Sequence, residues 1–164
     1  MQKTLFLIAA VVACVAIAGF LLFGIQRSAP QQAPVPILLY YYSPALDQGE
    51  GGVQCSRRGL AAVGRTIPST STPIQDAVRL LLRGEVSDEE KAQGVTSEFP
   101  LPGVALSYAS LEDGVLTLTF DDPGNRTSGG SCRAGILWFQ IEATAQQFPE
   151  VTSVRFMPEE LFQP

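Results

Sequence analysis

The sequence predicts a small α+β domain carried behind an N-terminal membrane anchor, and three observations predict it. Residues Leu5 to Ile25 form 21 consecutive uncharged, mostly apolar residues. Asp113-Gly114 separates two alternating runs, the signature of a β-hairpin. Two segments, 72–84 and 131–148, carry apolar residues at helical spacing. The expected order is β-β-α-β-β-α-β, one small mixed β-sheet with two main helices packed on one face.

The apolar run comes first. At about 1.5 Å per helical residue it reaches roughly 31 Å, about one hydrocarbon core. A secretory signal has a shorter apolar core, about 7–15 residues, followed by a small-residue cleavage site. Ala16-Ile17-Ala18 has the right residue types, and Val11-Val12-Ala13-Cys14 loosely resembles a lipobox, but both sit in mid-run. The expectation is an uncleaved transmembrane helix within residues 1–26, with lipoprotein processing at Cys14 as the alternative. Lys3 and Arg27 flank the run, so the positive-inside bias is slight. The expected placement is single-pass in the cytoplasmic membrane, N-terminus inside and domain outside. Residues 27–36, RSAPQQAPVP, read as an extended spacer of about 3 Å per residue.

The domain, residues 37–164, holds all 16 acidic residues against nine of the 11 basic ones, a formal charge of −7. Nothing in it suits a nucleic-acid backbone or an anionic membrane surface. ILLYYYS (37–43) reads as the first strand, PALDQGEGG as a flexible loop, and GLAAVGRTIP as a strand ending at Pro68. Thr72 is a candidate N-cap, with Pro73 at the first helical position, Gln75 completing a capping box, and Gly84 as the stop. Ser87 to Gln93 repeats the start signal in miniature. In the hairpin's second strand Leu116, Leu118 and Phe120 share a face. Ala134, Leu137, Trp138, Ile141, Ala145 and Phe148 form the buried stripe of the long helix, and Val151, Val154 and Phe156 mark a last strand.

With Cys14 in the apolar run, Cys55 and Cys132 remain as a pair. In a non-cytosolic domain they are candidates for one disulfide, closing a loop of about 80 residues and contributing about 4 kcal/mol. The alternative is two unrelated buried thiols. The chain has no histidine, which removes Ser-His-Asp and Cys-His catalysis and most zinc sites. GNRTSGGSC, before the long helix, lacks the lysine of a phosphate-binding loop. Arg126 and Arg133 flank a helix start that could attract an anion, but a solvated loop is the better reading. Asp121-Asp122 could bind a cation or act as an acid–base pair. Adjacent strand residues point to opposite faces, however, and DDPGN reads well as a turn. Tyr40 and Tyr42 share one face of the first strand and could form an aromatic platform for a glycan or peptide. No catalytic, metal or cofactor residue is assigned.

Several phrases recur in a recognisable order: Arg65 to Pro68, Leu81-Leu82-Arg83-Gly84, Phe99-Pro100 leading to Gly103, Glu112-Asp113-Gly114-Val115, and QQFPEVTSVRF at 146–156. Over roughly residues 36 to 157 this order resembles the GerMN domain of sporulation and spore-germination proteins. The resemblance implies a fold related to ring-building modules of envelope assemblies, tethered as a lipoprotein or by one span, with no established catalytic constellation. The Cys55/Cys132 pair and the QCSRRG segment are not part of that pattern. The expected function is a non-enzymatic, membrane-anchored interaction or scaffold domain of the bacterial envelope, associating with an envelope protein or with itself. The alternative is a small-ligand or glycan receptor using Tyr40 or Tyr42 and the acidic loop.

Overall fold

VPILLYYY, Val35–Tyr42, alternates so that Ile37, Leu39 and Tyr41 enter the core, and it forms strand β1. The computed structural model describes residues 33–163. The expected membrane span, Cys14 and most of the spacer lie outside the described residues. Among the described residues no helix is long and apolar enough to cross a membrane.

The segment after β1, expected as a flexible loop, is ordered. It forms a 3-10 turn at Pro44–Asp47, a minimal hairpin of β2 (Gln48–Gly49) and β3 (Gly52–Val53), and a second 3-10 turn at Arg57–Gly59. Strand β4, Leu60–Ile67, then pairs antiparallel with β1 over its whole length, from Val35↔Ile67 to Tyr42↔Leu60.

Helix α1, Pro73–Leu82, buries Ala77, Val78 and Leu81. The capping box expected at Thr72 is not made: the threonine side chain caps nothing, and the Gln75 amide reaches out to donate to Ala109 O at 3.4 Å. The miniature version is made in full at α2, Asp88–Ala92, where Ser87 Oγ accepts from the Glu90 N–H and Glu90 Oε2 accepts from the Ser87 N–H. Gly84 has φ +65°, and a Cβ there would lie 1.8 Å from Phe99 O, so the chain crossing behind α1 admits only glycine.

Strands β5 (Ala105–Glu112) and β6 (Val115–Asp121) form the expected hairpin, with Asp113 at φ 49° and Gly114 at φ 82° as its two turn residues. Helix α3, Ser131–Gln146, buries Ala134, Leu137, Ile141 and Ala145. Strand β7, Ser153–Met157, runs parallel to β6 from Val115↔Ser153 to Thr119↔Met157. Its entry is latched to the hairpin turn. Gly114 O accepts from the Thr152 N–H (2.8 Å), Thr152 Oγ1 (2.9 Å) and the Ser153 N–H (3.2 Å).

The single mixed sheet expected from the sequence is instead two separate sheets, β1-β4 and β5-β6-β7, beside the small β2-β3 hairpin. The reason lies at the second edge of β1. The Leu38 N–H donates to Gln147 Oε1 at 2.7 Å, and Gln147 Nε2 donates back to Leu38 O at 2.7 Å. The Tyr40 N–H donates to Thr144 Oγ1 at 3.0 Å, and Tyr42 exchanges bonds of 3.4 and 2.7 Å with Thr96. Side chains from α3 and its C-cap thus take the donors that another strand would need. Nor do the helices cover one face of one sheet: α1 and α3 pack on each other, and each reaches both sheets. The core between them contains Leu39, Tyr41, Val78, Leu81, Leu118, Leu137 and Ile141. Beyond β7, Phe162 turns back onto Phe120 and Phe156, with ring centroids 5.4 and 5.0 Å away.

Candidate functional site

The predicted site residues fall largely at one end of the molecule, where 43–59 meets the loop before α3. Tyr42, at the end of β1, is 4% exposed, and its hydroxyl donates to Asp47 Oδ2 at 2.6 Å. Asp47 itself is 0% exposed. It also accepts from the Ser56 N–H (2.6 Å, Oδ2) and Ser56 Oγ (2.5 Å, Oδ1), with Arg58 Nε 3.8 Å away. Burial works to raise the Asp47 pKa, but the Ser56 bonds, the Tyr42 hydroxyl and the Arg58 charge outweigh it and hold the carboxyl below its usual range. Burial and the same Asp47 bond push the Tyr42 hydroxyl up to about 12. Gly59 packs so closely under the Tyr42 ring that a Cβ would come within 2.2 Å of it.

Cys55 and Cys132 are joined as a disulfide with Cα atoms 5.1 Å apart, fastening this loop to the start of α3. A second loop repeats the Asp47 device. Asp122 accepts from the Arg126 N–H (2.8 Å), the Thr127 N–H (2.9 Å) and Thr127 Oγ1 (2.8 Å). Here too burial is outweighed by those hydrogen bonds, and the pKa is lowered. Arg133 donates to Glu98 Oε2 at 2.5 Å and turns back to Arg126 O at 2.9 Å and to Ser128 O. The structure therefore brings Asp122, Arg126 and Arg133 together as a loop frame. It leaves Asp121 exposed at the end of β6, opposite Ala105. Tyr40 is half-buried along the closed edge of β1. Among the described residues no cluster of three or more metal-ligating side chains occurs.

The sheet edges differ sharply. The second edge of β1 is filled as described, and β5 receives the Gln75 amide. Among the described residues no hydrogen bond from another element reaches the outer side of Val154 to Met157 in β7. Beside that edge lies a groove of about 360 Å³ lined by Trp138, Val154, Arg155, Phe156, Glu159 and Gln163. The Trp138 ring, expected in the core, is half-buried against Phe156 at 4.5 Å and also forms the groove wall.

The profile of the family described as "Germane: Sporulation and spore germination" matches residues 38–160, from within β1 to just past β7. The chain belongs to the Germane family. Among solved structures, the tandem GerMN domains of the sporulation protein GerM from Bacillus subtilis align at TM-score 0.52 with 21% identity, covering 82% of this chain and 43% of that one. The first GerMN domain of the same protein aligns at TM-score 0.52 with 15% identity, covering 74% of this chain and 80% of that one. At these identities the likeness shows a shared fold. This Germane chain spans less than half the length of the tandem structure. No curated protein matches it.

Sequence reasoning missed Asp47, Ser56, Thr144 and Gln147. The first two sit in a stretch rich in glycine and polar residues that has no periodicity to read. The last two left a trace: Gln140, Thr144 and Gln147 recur at helical spacing on α3, and Gln140 and Thr144 are buried.

Proposed function

We propose that this Germane protein is a non-catalytic interaction domain of the bacterial envelope, held outside the cytoplasmic membrane by residues 5–25 with its N-terminus inside. One observation carries the non-catalytic part: the polar groups gathered at the disulfide end are spent on one another. Asp47 accepts three hydrogen bonds, from Tyr42 and Ser56, Asp122 accepts three from its own loop, and Arg133 is committed to Glu98 and two carbonyls. A general base or nucleophile needs an open approach and a proton to exchange. These groups have neither. The receptor reading loses its strongest member, because the Tyr42 ring is buried and its hydroxyl faces Asp47.

The oxidised Cys55–Cys132 pair fits a compartment outside the cytosol. The spacer at 27–36 would hold the domain clear of the bilayer. The domain's partner would be an envelope protein or a second copy of the chain. Cross-linking of the full-length protein in its own membrane, with mass spectrometry of the adducts, tests the reading. One dominant envelope partner, or links between domains, is expected; adducts only with random neighbours would overturn it.

A further inference from the structure

We propose that β7 is the docking edge of this domain, and that it accepts an extended segment of a different protein as a fourth strand beside β5-β6-β7. The proposal rests on the interaction reading above and names the surface and the partner's chemistry. Exposed edge strands invite pairing, and folded proteins usually block them. Here the blocking is selective. β1 has its outward donors at Leu38, Tyr40 and Tyr42 taken by Gln147, Thr144 and Thr96, and Pro36 has none to offer. β5 lies beside α1 and the Gln75 amide, and on the outer side of β4 the Arg65 guanidinium donates to Gly64 O at 2.9 Å. Among the described residues β7 has no such cover, and the groove of about 360 Å³ runs along it.

Alternation along β7 sets what an added strand must carry. Val154 and Phe156 face inward, while Ser153, Arg155 and Met157 face outward. Residues of an added strand on the inner side would enter the groove beside the packed Trp138 and Phe156 rings and must be apolar. The residue on the outer side beside Arg155 is best acidic, because Arg155 has no carboxylate partner among the described residues. The partner segment therefore alternates apolar residues with hydroxyl or acidic ones. A second copy of this chain fits poorly. The register pairing all five β7 residues antiparallel with their copies sets Arg155 opposite Arg155, and both domains carry −7.

Trp138 is the only tryptophan, so its fluorescence reports on the groove. The probe is an acetylated, amidated peptide, Val-Thr-Val-Glu-Val-Thr-Val, which reads the same in either strand direction. Titrated onto the full-length chain in detergent, it should change Trp138 emission saturably. Arg155→Glu should weaken it about tenfold and favour, by a similar factor, a second peptide with lysine in place of the central glutamate. Leu38→Lys, on the closed edge, should leave binding unchanged. Binding insensitive to Arg155→Glu, or no saturable change with either peptide, would overturn the proposal. So would self-association of the chain abolished by Arg155→Glu. Photo-cross-linking in the native membrane separates the two readings. A partner captured from the exposed Leu46 or Leu111, away from β7, but not from Ser153 would remove the β7 edge and keep the interaction role; no partner from any of the three would remove both.

Discussion

β1 and β7 are both outermost strands, yet the protein treats them in opposite ways. β1 is long, lies over the core and has every outward donor occupied, two of them by side chains of α3 and its C-cap. β7 is five residues long, parallel to its neighbour and, among the described residues, open along its outer side. An edge can be closed without a strand, by placing an amide and a hydroxyl on a helix at the right spacing. Leaving the other edge open is then a choice of sequence, not a limit of the fold.

The largest way to disturb this contrast is through the disulfide, which fixes the start of the helix that closes β1. The double variant Cys55→Ser/Cys132→Ser should lose about 4 kcal/mol of stability in chemical denaturation. Unfolding the oxidised wild type without reductant should release no titratable thiol from either cysteine; two free thiols would mean the bridge does not form. Next, Thr144→Val leaves the Tyr40 N–H without its acceptor and should cost about 1–3 kcal/mol, while amide exchange at Tyr40 accelerates. Gln147→Ala should cost less, about 0.5–1.5 kcal/mol, since Leu38 is 40% exposed and water can replace the lost amide. Combined, they should turn β1 into a sticky edge and raise self-association in light scattering.

The pair on the far strand of the same sheet responds to pH. Arg65 bonds both oxygens of Glu90, and these bonds, with the Ser87 N–H and the Arg65 charge, outweigh the upward push of burial and lower the Glu90 pKa from 4.5 to about 2. The folded state thus favours the charged carboxylate. Its contribution is complete above pH 4.5 and lost as the pH falls from there toward 2, a loss that Arg65→Ala should flatten in acid denaturation. The smallest expected change is in β7 itself. Arg155→Glu should shift stability by no more than about 0.5 kcal/mol, although it alters what the edge can bind.

Much of the fold was legible because it follows from local rules. Asp113-Gly114, the apolar stripe of α3 and the Ser87 capping box each state their structure in a few residues. The same rules misled at Thr72, where the box pattern is present but Gln75 finds a better acceptor on β5. The single sheet failed for a reason no local pattern contains, since Thr144 and Gln147 meet β1 more than 100 residues away. The predicted site divided along the same line. Asp122 acted as the turn its neighbours suggest, whereas the buried carboxylate that organises the other loop, Asp47, looked like any exposed loop acid until Tyr42, Ser56 and the disulfide enclosed it.

The three bonds that converge on Gly114 O carry one further consequence. A parallel strand has no hairpin of its own to count residues from, and a slip of one position would swap Arg155 for Val154 and Phe156 across the sheet. That carbonyl acts as a zero mark for β7. The helix and connection between β6 and β7 can change length without moving the scale, provided Thr152 still finds it. The pattern of apolar and charged side chains that the open edge presents is thus measured out from a turn nearly forty residues earlier in the chain.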